Sequence, residues 1–371
     1  MRVTSLLALG VVGLIFAAAI PAVAQDSGPA VADAPTLSGL GPVSSADRQA
    51  FIAAGRAYKA GDFKEGFRLI TPLAKKGYPI AQYSLGLQYL QAKGVAQDYS
   101  AAVLWLQKSA DQGLAQAQTR LGELYEDGQG VPRDYAMAAE LYKKAAHQGN
   151  PWAQCHLGQL FEDGQGVAQD YAAAANWYRK SADQGFVDAQ YSLGVMYLKG
   201  EGMPRDPATG ATWLRKAADQ GDAWSEYNLG VQYNDGEGVP QNYAMAAELY
   251  KKAADQGNAL AQYDLGVMYA QGKGVAQDYA VAAAWYRKSA DRGLAQAQYN
   301  LAGQYARGQG VPSDPVQAYK WISLAVQCAK APNVRDAAVR AKDMMAGPMT
   351  KAQIAEAEAQ VSAWKPLPAS R

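Results

Sequence analysis

A leucine recurs every 36 residues along this chain, at Leu85, Leu121, Leu157, Leu193, Leu229, Leu265 and Leu301, and its surroundings recur with it. A representative copy runs from Ala189-Gln-Tyr-Ser-Leu-Gly-Val-Met-Tyr197 through Gly200-Glu-Gly202 and Asp206 to Trp213 and Ala218-Asp-Gln-Gly221. Six of the seven leucines precede a glycine, Ala302 being the exception. Self-similarity at such a period marks a stack of two-helix units, each able to bury its apolar stripe only against its neighbours. The 371 residues therefore read as one elongated all-α array rather than as several globular domains.

Within a unit, Ala81, Leu85 and Tyr89 fall at i, i+4 and i+8, the core face of a first helix, with Gly86 beside them for close approach. A Gly-x-Gly such as Gly128-Gln-Gly130 then breaks the chain; only the first copy departs, with Ala92 before Gly94. It is no dinucleotide loop, because no strand precedes it and no third glycine follows. The second helix opens at Asp98, Asp134, Asp170, Asp206, Asn242, Asp278 and Asp314, side chains that cap free amides. Ala102, Trp105, Leu106, Ser109 and Ala110 give it an apolar stripe, and glycines from Gly113 to Gly293 close it in six of the seven units. Tyr135 to Ala146 recurs unchanged at Tyr243 to Ala254, which points to duplication of a three-unit block.

Residues 1–24 have the layout of a secretory signal: Arg2, an apolar run from Leu6 to Ile20, then Ala22-Val23-Ala24 before Gln25. Retention of that run as a membrane anchor is the alternative. Residues 25–47, rich in Pro, Gly, Ser and Ala, are expected to be a flexible linker, and residues 48–80 a degenerate capping repeat. Residues 81–330 hold the seven repeats, and 331–371 capping helices and a tail, with Thr350-Lys-Ala-Gln353 opening the last helix. Removing residues 1–24 takes away one base and no acid, so 35 bases against 34 acids become 34 against 34. A neutral chain with no basic block has no electrostatic footing for nucleic acid or anionic lipid. Cys155 and Cys328 lie in the third and seventh repeats, too far apart in a stack to bridge.

The combination Ala-Gln-x-x-Leu-Gly-x-x-Tyr, Gly-x-Gly-Val, Asp-Tyr-x-x-Ala, Trp-Tyr-x-Lys-Ala-Ala and Gln-Gly resembles the Sel1-like repeat family, relatives of tetratricopeptide repeats, over residues 81 to about 330. The resemblance implies a right-handed superhelical solenoid used as an adaptor for other macromolecules. Some secreted members of the family carry a cysteine pair in every repeat and are linked to penicillin binding; this chain lacks those pairs.

Chemistry would show as unusual residues gathered in one place. Cys155 and His156 are sequence neighbours, about 100° apart on a helix, and so read as a groove or packing cysteine beside a surface histidine. His147 suits the end of a second helix, where a cation meets the dipole. Glu126-Asp127 and Glu162-Asp163 lack the alternating ligands of a calcium loop and read as solvated helix ends. No catalytic group, metal or cofactor is expected. By analogy with tetratricopeptide arrays, a second stripe on the first helices would line a concave partner groove: Tyr83, Tyr191, Val195, Leu198, Tyr227, Val231, Tyr263, Val267 and Tyr299. The same tyrosines would serve equally as packing between helices. The expectation is a periplasmic or secreted, non-catalytic scaffold that binds a protein or peptide. The alternatives are a carbohydrate-binding or polysaccharide-export envelope component, or a penicillin-binding cell-wall enzyme.

Overall fold

A computed structural model describes residues 43–368, so the expected signal segment and most of the expected linker lie outside the described residues. Among the described residues there are eighteen α-helices and no strand. They fall into two compact units, 43–205 and 206–368, whose boundary lies inside the fourth repeat.

The N-terminal unit begins with α1 (Ser45–Lys59) and α2 (Phe63–Lys75). Helix α1 starts before the expected end of the linker. Ser44 caps it by accepting from the Asp47 amide, and buried Asp47 is held by Lys76 and by the Tyr78 hydroxyl. The sequence Ser44-Ser-Ala-Asp47 is a helix-opening signal that composition conceals. First helices, called A, follow as α3 (Pro79–Gln91), α5 (Ala115–Asp127), α7 (Pro151–Asp163) and α9 (Val187–Lys199). They alternate with the second, or B, helices α4 (Tyr99–Asp111), α6 (Tyr135–His147) and α8 (Tyr171–Asp183).

The C-terminal unit starts at the B helix α10 (Pro207–Ala218). Its A helices are α11 (Ala223–Asp235), α13 (Ala259–Gln271) and α15 (Ala295–Arg307), and its further B helices are α12 (Tyr243–Asp255), α14 (Tyr279–Asp291) and α16 (Pro315–Cys328). Two terminal helices, α17 (Pro332–Ala346) and α18 (Lys351–Ala363), pack on α16. The Thr350–Gln353 capping box forms, Ala357 is fully buried, and the tail is tied back by Leu367 N–H donating to the Asp291 carbonyl at 2.8 Å.

Three devices repeat through both units. The core alternates Ala and Leu: Ala81, Leu85, Ala117, Leu121, Ala261 and Leu265 are all at most 1% exposed. The glycine after the leucine makes room for a B-helix side chain at Gly86, Gly122, Gly158, Gly230 and Gly266. A Cβ at Gly122 would stand 2.6 Å from the Tyr142 ring, and one at Gly266 2.7 Å from Tyr286. The second glycine of the turn seats backbone on backbone, for a Cβ at Gly166 would lie 2.2 Å from the carbonyl carbon of Tyr135 in the preceding repeat. The first glycine has a left-handed φ, and Ala92 adopts the same region at φ 54°, the one non-glycine to do so among the described residues.

The glutamine of each Ala-Gln pair is a lock that the sequence reading left without a role. Gln118 donates to the Ala110 carbonyl of the previous B helix at 3.2 Å and accepts from Gln148 of its own repeat at 2.8 Å. Gln82, Gln154, Gln190, Gln262 and Gln298 repeat the first bond. Glu226 replaces this glutamine in α11; it still accepts from Gln256, but a carboxylate has no hydrogen to give a carbonyl.

Candidate functional site

The tyrosines of the expected groove stripe are half-buried packing residues. Tyr83 lies against the core around Leu106 and Leu121, Tyr227 and Val231 against that around Tyr250 and Leu265, and Tyr263, Val267 and Tyr299 against that around Tyr286 and Leu301. Tyr191 is half-buried, while Val195 at 8% and Leu198 at 2% exposure are closed to any partner. Burial pushes the hydroxyls of Tyr83 and Tyr263 up to about 12. The physical reason is geometric: the tyrosines stand about 60° from the outward row of the A helix, so most of each ring falls between neighbouring helices.

The outward stripe of the A helices is one row over, at i, i+4, i+7 and i+11. In α5 it is Gln116, Arg120, Glu123 and Asp127, in α7 Trp152, His156, Gln159 and Asp163, and in α13 Leu260, Asp264 and Gln271, with Val267 in a column that the two stripes share and that is closed at Val195. No residue is common to all seven copies of any of these columns, although Val195, Val231 and Val267 repeat in one and Asp127, Asp163 and Asp235 in another, whereas the columns of Ala81, Leu85 and Tyr89 hardly vary. A position released from the shared packing demand is free to carry a specific task. The sign of the charge differs too. The seven A helices hold nine carboxylates against three bases, and the seven B helices six against twelve.

In the N-terminal unit this face contains a built cluster. Tyr142 passes over Gly122 and its hydroxyl donates to Glu126 Oε2 at 2.7 Å; Tyr178 repeats the contact with Glu162 at 2.7 Å. The two glutamates are half-buried acceptors, not the solvated helix ends expected. His156 is likewise no free surface histidine. Its ring is stacked on Tyr142 at 5.1 Å and on Trp152 at 5.4 Å, with Nδ1 3.6 Å from Glu126 Oε2. Burial opposes the charged imidazolium, but Glu126 and Glu123 outweigh it and hold the histidine above its ordinary value. Burial opposes charge on Glu126 as well, and His156 and Tyr142 bring it net below the usual range. Cys155 gives this cluster no nucleophile, since its thiol is buried and thereby pushed well above the ordinary value. His147 sits elsewhere, its Nδ1 2.6 Å from the Lys143 carbonyl and its ring edge-on to Trp177.

In the C-terminal unit the corresponding face is aromatic and carries a different carboxylate. Asp264 Oδ2 accepts from the Tyr227 hydroxyl at 3.1 Å, and Tyr227 and Tyr263 are backed by Tyr250 and Tyr286 at ring separations of 5.7 and 5.9 Å. Burial raises the Asp264 carboxyl to about 7, with Asp235 adding repulsion. Among the described residues no group of three His, Cys, Asp or Glu is placed to hold a metal ion, and no helix is long and apolar enough to cross a membrane. Both cysteines are free.

Comparison with known proteins agrees with this architecture. The Sel1 repeat family model matches seven times, at residues 79–114, 115–150, 153–186, 187–222, 225–258, 259–294 and 295–328. A Sel1 repeat protein from Oxalobacter formigenes of known structure is 35% identical, covering 80% of this chain and 87% of its own, with a TM-score of 0.63. A protective antigen present in uropathogenic Escherichia coli strains and displaying an SLR fold is 29% identical, covering 85% of this chain and 83% of its own, with a TM-score of 0.44. A search of curated proteins finds no match. With seven matched repeats and a helical-repeat solenoid fold of the kind commonly used as a protein-interaction scaffold, the chain belongs to the Sel1 repeat family.

Proposed function

We propose that this protein is an exported, non-catalytic scaffold that holds a protein or peptide partner against the outward face of its A helices. One observation carries the reading: columns on this face differ between repeats, and acidic charge, tryptophan and histidine collect there beside tyrosine hydroxyls that donate to the carboxylates. B-helix tryptophans, by contrast, are already covered by the chain's own lysines, as Lys180 covers Trp177 at 3.9 Å and Lys216 covers Trp213 at 3.6 Å. Aromatic rings left without such cover are the anchors that dominate binding energies. Export rests on the signal-like residues 1–24, and places the partner in the periplasm or medium.

Site-specific photo-crosslinking in the native host tests the surface. A photoreactive phenylalanine analogue at Gln116, Trp152 or Trp224 should give a discrete adduct, and one at Lys143 or Lys251 on the B helices should not. Adducts confined to the B helices would overturn the assignment. Intact mass of the protein from the same cells should correspond to a chain starting at Gln25; retention of residues 1–24 would instead support an anchor.

A further inference from the structure

Asp264 is a carboxylate without a cation. It is half-buried, its oxygens receive one hydrogen bond, from Tyr227, and among the described residues no lysine or arginine lies within ion-pair distance. An ionised carboxylate offers about four acceptor positions, so most of its capacity is unused. Packing does not require it there, because α11 and α15 place Asn228 and Asn300 in the same column. Keeping a charge in a desolvated place without a counter-charge is costly, and groups so placed collect at functional sites. Two tyrosines flank it: Tyr227 through its hydroxyl, and Tyr263 as its neighbour on α13, each ring fixed by a second ring behind it.

Cations are present elsewhere in the same unit. Lys216 and Lys288 stand over Trp213 and Trp285 at 3.6 and 3.9 Å on the B helices of the same unit, so cations are plentiful on that side. The A helices carry the acid excess described above. Charge complementarity therefore calls for a base brought from outside, and a tyrosine-flanked carboxylate suits a planar or alkyl cation by combining ion pairing with ring contact.

We infer that Asp264, with Tyr227 and Tyr263, receives one arginine or lysine side chain of a peptide partner laid across α11, α13 and α15. The inference rests on the A-helix face being the binding surface and adds the partner's chemistry. The test is a random octapeptide display selection on the full chain, followed by synthesis of enriched peptides in which each arginine is replaced by its neutral isostere citrulline, or each lysine by acetyl-lysine. Affinities are measured for wild type, Asp264→Asn and Asp264→Ser; Asn228 and Ser84 show that both replacements fit this column. One basic residue should be shared by the enriched peptides, and neutralising it should weaken wild-type binding about tenfold or more, the scale of a charge-assisted bond. The same change should alter binding to either variant by about twofold or less. Enriched peptides lacking a basic residue, or an equal loss in all three proteins, would overturn the cation site while leaving the face as a binding surface. Failure to enrich any peptide, together with no A-helix crosslink, would remove both.

Discussion

The outward A-helix faces of the two units differ in how they hold their most enclosed carboxylates. In the N-terminal unit Arg120 pairs with Glu123, Lys199 with Glu201, and Glu126 with both His156 and Tyr142, while Glu162 meets the Tyr178 hydroxyl. In the C-terminal unit Asp264 meets one tyrosine hydroxyl and no base, amid rings rather than charges. The same backbone thus holds one carboxylate, Glu126, against an imidazole and leaves another, Asp264, short of a cation. An internal partner favours the free protein, whereas the deficit at Asp264 is relieved by a proton or by a bound cation.

The largest expected effect tests whether the C-terminal rings belong to the fold. Replacing Tyr227 and Tyr263 together by serine should lower the melting temperature by about 10 °C or more, because truncating a buried aromatic costs about 3–5 kcal/mol. Circular dichroism melts read it directly. An unchanged melt with lost partner binding would mean that the rings are free, and the contrast between units would have to be redrawn.

Next comes Asp264→Asn. The folded carboxyl titrates at about 7, raised by burial and by Asp235 of α11, with the hydroxyl of Tyr227 pulling the other way and Tyr250 and Tyr263 close by. An unfolded aspartate titrates near about 3.9. Between those values the native state keeps a proton that the unfolded chain has lost, so stability falls as pH rises from about 4 to about 7. Asparagine should remove that slope and raise the melting temperature by about 3–6 °C at pH 8, with little change at pH 4. Equal melts of the two proteins at both pH values would show that Asp264 is well solvated.

A smaller effect contrasts two equivalent tyrosines. Tyr142→Phe leaves Glu126 without its donor and should cost about 1–2 kcal/mol, while Tyr250→Phe, whose hydroxyl meets no carboxylate, should be nearly neutral. Comparable losses would erase the distinction. The smallest is Glu226→Gln, which restores the missing lock to the Ala218 carbonyl and should gain about 0.5–1 kcal/mol. Burial raises the Glu226 carboxyl although Gln256 pulls the other way, so the native state favours the proton, stability declines as pH rises through its titration, and the gain should be larger in alkali than in acid. A destabilised variant would show that the backbone of α11 departs from the other A helices.

The sequence made the architecture plain because its determinants are local and repeated: aspartates at B-helix starts, glycines at turns, Ala and Leu at helical spacing. The same repetition misdirected the search for a site. Tyr83, Tyr191, Tyr227, Tyr263 and Tyr299 stood out by recurring, yet recurrence is what a shared packing demand produces, and Tyr83, Tyr227, Tyr263 and Tyr299 pack against the helical cores. The informative columns are those in which the repeats disagree, such as Arg120, His156, Asn228 and Asp264. Reading the seven copies column by column would have exposed them. Nothing in the spacing could have shown that Tyr142 reaches Glu126 past Gly122, or that Asp264 lacks a base, since both depend on how helices distant in sequence meet.

One consequence concerns how such a surface can change over evolutionary time. Neighbouring repeats are keyed to each other at Gly166 and its counterparts through main-chain atoms, with no side chain between them. The step from one A helix to the next is thereby indifferent to what the outward column carries. A lineage could exchange Asn228 for Asp264's chemistry, or move a binding residue one repeat along by duplicating a block, without renegotiating the spacing. Recognition and construction are inherited through different atoms, and selection can edit the first while leaving the second alone.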